Sequence, residues 1–128
     1  MSMEDKQPSP HSESKFIYLG EDREVFLLSP LPDDVLFPLA EQMPGLPDEP
    51  HYRENLLTGV GTMLHVSIAR EPLNSVGFDR KSMERILLKC LSMTDQELLA
   101  CAMQIFNYSH REDLAKSYAR LVEGMPVN

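Results

Sequence analysis

The stretch Thr94-Asp-Gln-Glu-Leu-Leu-Ala-Cys-Ala-Met-Gln-Ile-Phe-Asn-Tyr108 decides the fold class. Thr94 followed by Glu97 matches a capping box. In that motif the hydroxyl accepts from the backbone N–H three residues on, while the carboxylate reaches back to the cap's own N–H. Behind it Leu98, Leu99, Ala102, Met103, Ile105 and Phe106 recur at helical spacing, so the segment reads as a helix through Tyr108 with a wide buried face.

On either side the same signals recur. Asp79 is placed to cap a helix to about Leu91, with Met83, Ile86, Leu87, Cys90 and Leu91 inward. Ser109-His-Arg-Glu112 matches a second capping box and opens a last helix with Leu114, Ala115, Tyr118, Leu121 and Val122 inward, stopped by Gly124 and Pro126. Such short connections predict a compact antiparallel arrangement of these three helices. Upstream, a long helix is expected from His51 to Ala69. It is interrupted by Gly59 and Gly61, each costing about 1 kcal/mol relative to Ala. Close approach of another backbone is the favoured reason; a break into two shorter helices is the alternative. Gly-Val-Gly-Thr62 lacks the preceding strand and the spacing of a phosphate cradle. Earlier still, Asp33 or Asp34 is expected to cap a short helix through Met43, after the stiff connector Ser29-Pro-Leu-Pro32.

The N-terminal part reads differently. Lys15-Phe-Ile-Tyr-Leu19 and Glu24-Val-Phe-Leu-Leu28 flank Gly20-Glu-Asp-Arg23 as a β-hairpin with a four-residue loop. Both strands are apolar on both faces: Phe16, Tyr18, Val25 and Leu27 on one, Ile17, Leu19, Phe26 and Leu28 on the other. The later helices account for covering one face. The other calls for more chain or for a second chain. Met1–Ser14, with Pro8 and Pro10 and no apolar periodicity, is expected to be a disordered arm. The expected organisation is thus an arm over 1–14 and one domain over 15–128, mainly α, with about five helices and a short N-terminal hairpin.

The chain of 128 residues carries 42% hydrophobic and 25% charged residues with a formal charge of −8. That charge argues against nucleic acid or an anionic membrane as the main partner. Residues 1–54 hold 12 acidic and 4 basic side chains, so the excess sits there. Asp33, Asp34, Asp48 and Glu49 are the candidates for a surface that steers a basic partner. Carboxylates at helix starts also complement the helix dipole, which is the plainer reading. No apolar run approaches the ~20 residues of a membrane span, and no apolar leader follows Met1, so a cytoplasmic soluble protein is expected.

The four histidines, at 11, 51, 65 and 110, form no HExxH or i,i+4 pair. Cys90 and Cys101 fall on consecutive helices with no CxxC nucleus and read as buried small hydrophobes. Ser67 is wrongly spaced from His65 for one helix face, and Ser75 and Ser82 lack the turn that presents a nucleophile. The expectation is therefore no enzyme, no metal and no cofactor. Eight methionines exceed what a small core obviously needs, and Met packs against varied shapes at low strain. Met63, Phe78, Met83, Met103, Phe106 and Tyr108 are the candidate partner-binding residues, with some of them expected in the core.

Phe16-Ile-Tyr-Leu-Gly through Val25-Phe-Leu-Leu, followed by Leu98-Leu-Ala-Cys-Ala-Met-Gln-Ile-Phe-Asn-Tyr108, resembles the small pseudomonad quorum-sensing anti-activators. The resemblance rests on size, acidity and helical make-up and transfers no functional residue. It implies a non-catalytic regulator that binds a LuxR-type transcription factor and blocks its dimerisation or DNA binding. A small acidic secretion or assembly chaperone is the alternative, although the familiar type III effector chaperones have more strands than two. Either reading expects a protein partner, and a homodimer is expected.

Overall fold

The computed structural model describes residues 14–44, 49–75 and 77–123, with the side chains of 121–123 excepted. Residues 1–13 of the expected arm, Asp48 and the stop at Gly124 and Pro126 lie outside the described residues, as do the side chains of Leu121 and Val122. The chain is mainly α, as expected. Strands β1 (Phe16–Leu19) and β2 (Glu24–Leu27) precede helices α1 (Asp33–Ala40), α2 (Tyr52–Ala69), α3 (Arg80–Leu91), α4 (Asp95–Tyr108) and α5 (Glu112–Glu123).

The hairpin forms because Gly20 and Arg23, at φ 81° and 55°, turn the chain through a loop closed by Arg23 N–H donating to the Gly20 carbonyl at 3.2 Å. Its antiparallel register pairs Phe16 with Leu27 and Tyr18 with Val25. Ile17, Leu19, Phe26 and Leu28 are buried in the helical core. Charge fixes the hairpin to α3. Glu24 is bound by Arg85 and by Lys89 at 2.8 Å, Lys89 also reaches Asp22 at 3.0 Å, and the Arg85 guanidinium lies 5.4 Å from the Phe26 ring centre. The Lys89 ammonium beside them holds the Asp22 and Glu24 carboxyls below the usual carboxylate range.

Helix α2 is the centre of the packing, with α1, α3 and α4 against it. It runs unbroken through both glycines. At Gly59 a Cβ would stand 3.0 Å from the Met43 Sδ atom, with the Gln42 oxygen and Met43 Cα of the crossing backbone behind it at 3.4 and 3.5 Å. At Gly61 the close neighbour is the Leu87 side chain of α3. The backbone approach expected from sequence is thus only part of the reason at Gly59, where the Met43 side chain is closest, and at Gly61 a side chain alone fills the gap. α4 and α5 pack directly on one another as expected, whereas α3 and α4, although consecutive, lie mainly on α2, which corrects that part of the expected three-helix arrangement. Arg53 of α2 ties that link down, donating to the Leu91 and Met93 carbonyls and to Asp95 at 3.2, 2.7 and 2.7 Å.

The start signals held at two helices and failed at two. Asp79 accepts from Ser82 N–H at 2.8 Å, and both bonds of the Thr94–Glu97 capping box are made. α1, however, is entered through Pro32, whose carbonyl takes the Val35 and Leu36 N–H groups; Asp33 and Asp34 stand in the first turn instead of at the cap. It ends at Ala40, short of Met43, as Gln42 and Met43 tighten to i→i+3 bonds. Ser109 does not cap α5. It is the last residue of the α4 end, and its hydroxyl accepts from Leu31 N–H at 2.9 Å. His110 then turns through φ 65° before α5 begins. Leu91, expected inward, is exposed because it falls on the far side of α3 from Ile86 and Cys90.

Candidate protein-binding face

The pleat that sends Ile17 and Phe26 inward sends their neighbours outward. Phe16, Tyr18 and Val25 are 50%, 49% and 50% exposed, and Leu27 is half-buried beside them. The register sets these four apolar side chains as two directly opposed pairs, on a face that stays about half exposed. Two cations border it. Lys15 Nζ lies 5.8 Å from the Phe16 ring centre, and the Arg23 guanidinium lies 5.3 Å from that of Tyr18. A shallow hollow of about 190 Å³ runs from Tyr18 and Arg23 across to Met93, Ala100 and Gln104.

Side chains close part of both strand edges. Asn74 accepts from Leu27 N–H at 3.1 Å and donates to the Leu27 and Ile68 carbonyls at 2.7 and 2.8 Å, the pattern a neighbouring strand would offer. On the other edge Gln104 donates to the Ser14 and Phe16 carbonyls at 2.8 and 2.7 Å. The described binding opportunity is thus the face of the hairpin more than its edges.

The partner-binding candidates named from sequence separate sharply. Met63, Met103 and Phe106 are fully buried, so none of them belongs to a surface. The Phe106 ring stacks on Tyr118 at 5.5 Å, joining α4 to α5. Met83 and Tyr108 are half-buried, and Phe78 is 62% exposed at the start of α3, away from the hairpin residues in sequence. The outer hairpin residues were visible in sequence as one side of a two-sided strand pair, but the list of candidates favoured methionines and helix residues. Among the acidic candidates Asp33, Asp34 and Glu49 are exposed; Asp33 is ion-paired with Arg111 at 3.2 Å, and Asp48 lies outside the described residues.

One pair with the look of catalytic chemistry comes together only in the fold. His65 Nε2 lies 2.9 Å from Ser82 Oγ and 3.1 Å from the Gly77 carbonyl. The Ser82 hydroxyl itself donates toward the Gly77 and Asp79 carbonyls, the latter at 2.9 Å. With its one proton so committed, Ser82 Oγ accepts from His65, and the network assigns the proton to Nε2. The arrangement acts as a clasp that holds the loop before α3 onto α2, with the Phe78 ring edge-on to His65 at 5.6 Å. Ser82 N–H also holds the Asp79 carboxyl below its usual range.

Cys90 and Cys101 are buried free thiols. Burial pushes both up, Cys90 to about 12, so neither is a thiolate near neutral pH. Among the described residues no group of three or more His, Cys, Asp or Glu side chains gathers as a metal site requires, and no helix is long and apolar enough to cross a membrane. Compared with known proteins, the chain matches no family model, no curated protein and no solved structure.

Proposed function

We propose that this domain works without catalysis by binding another protein through the outer face of its hairpin. The observation that carries the reading is the set of Phe16, Tyr18 and Val25, each about half exposed and flanked by the half-buried Leu27, on a sheet whose opposite face is used by the core. Aromatic residues spread in this way are common anchors of protein interfaces. The target we favour is a transcriptional activator of the LuxR type, sequestered so that it neither dimerises nor binds DNA. That choice rests on the resemblance and on the −8 charge, which suits a partner with basic surfaces and disfavours direct binding to DNA.

The test is capture from a native lysate by the intact chain and by a Phe16→Ser/Tyr18→Ser variant, with mass determined by light scattering. A transcription regulator retained by the wild type and lost by the variant is the expected result, and release of that regulator's DNA on adding the protein would complete it. A secreted protein in its place would move the assignment to a chaperone. Equal capture by the two proteins would remove the hairpin from the interface. The expected homodimer is read from the same scattering data.

A further inference from the structure

The charge of the hairpin face runs against the charge of the molecule. The chain is −8 overall, yet both side chains stacked on the outer aromatic rings, Lys15 on Phe16 and Arg23 on Tyr18, are cations. Two of the hairpin's three loop-side carboxylates are committed elsewhere, and none is ion-paired with these cations. Asp22 and Glu24 are turned to Lys89 and Arg85 of α3, and among the described residues no carboxylate stands within 4.0 Å of Lys15 or Arg23. Glu21 and Glu97 share a hollow with Arg23, which leaves the Lys15 end the more positive.

Resting on the protein-binding reading above, we infer that the occupant of this face is an apolar segment flanked by carboxylates, supplied by the partner protein. Its apolar side chains meet Phe16, Tyr18 and Val25, and its carboxylates meet Lys15 and Arg23. A second copy fits poorly. Face to face it would gather four cations around one contact. An anionic membrane is opposed by the charge of the whole molecule. The inference also divides the surface. The partner's contact segment is acidic, and any basic region of the partner is left to the acidic side chains of α1, on which Asp33 and Asp34 are exposed.

Three labelled probe peptides test it by fluorescence anisotropy with the full chain: alternating Phe and Val with Glu between them, and the same peptide with Lys or Gln in place of Glu. The Glu probe is expected to bind about tenfold or more tightly than the Lys probe at low salt, with the advantage shrinking as salt rises. A Lys15→Glu/Arg23→Glu variant, shown by circular dichroism to be folded, should invert the order. Equal binding of the probes, an order that survives the reversal, or no binding by any probe overturns the inference. A dimer that dissociates on Tyr18→Glu substitution overturns it in favour of a second copy. If the captured regulator is lost with Phe16→Ser/Tyr18→Ser but kept after charge reversal, protein binding stands and the acidic segment falls.

Discussion

At the scale of single residues, six side chains chosen for one surface divide into core and exterior, and stability separates them. Phe106 is fully buried and stacked on Tyr118, so Phe106→Ala should cost about 3–5 kcal/mol through lost transfer energy and the cavity left behind. Phe78 is 62% exposed, and Phe78→Ala should stay within about 1 kcal/mol, most of it from the His65 ring contact. Urea denaturation of the two variants checks both values. Sequence could not make this division, because Met63 and Met83 both sit at helical spacing with apolar neighbours. Whether a stripe meets the core depends on where the other helices lie. The His65–Ser82 contact was hidden for a similar reason: its partners are 17 residues apart on different helices, and neither stands in a recognisable motif.

At the scale of elements, local start signals were legible where the side chain had no competing partner. The Thr94–Glu97 box formed as written, and Thr94→Ala should cost about 1 kcal/mol and fray the first turn of α4. Ser109 carried an equally good signal, but its hydroxyl is taken by Leu31 N–H, 78 positions away in sequence. Ser109→Ala should therefore leave α5 helical while speeding hydrogen exchange at the Leu31 amide. A loss of helical circular dichroism with unchanged exchange at Leu31 would restore the capping-box reading. The hairpin loop was legible to the residue at Gly20–Arg23 and each strand to within one residue at its outer end, since its two-sided pattern needs no knowledge of the helices. Which face would remain open was not legible, because either set could have turned inward. In the face that turned inward, Glu24 meets Arg85 and Lys89 of α3.

At the scale of the whole molecule, stability should depend on acid through carboxylates that are better held in the folded chain than in the unfolded one. Arg111, stacked on Phe37 and paired with Asp33 and Asp113, holds Asp113 at about 2, below its ordinary 3.8. Asp22 and Glu24 are lowered by Lys89. A carboxyl whose folded value is depressed contributes fully above its unfolded value and loses that contribution as pH falls toward the folded one. For Asp113 the window lies between pH 3.8 and about 2. Arg111→Met should flatten the fall of unfolding free energy across that window and leave its slope above the window unchanged, as read from denaturant titrations at successive pH values. The net −8 describes the molecule as a whole, and the aromatic face shows how little a total says about one contact.

Asn74 and Gln104 have a further consequence. An oily two-stranded ribbon is an invitation to templated growth, in which each new chain lays its own strand along the last and the stack lengthens without end. Here an amide side chain stands at each margin and speaks to the ribbon in the ladder's own vocabulary, occupying the Leu27 peptide on one border and the Phe16 carbonyl on the other. The molecule can therefore display Phe16, Tyr18 and Val25 to a visitor arriving from above while part of each border is already engaged against recruits arriving from the side.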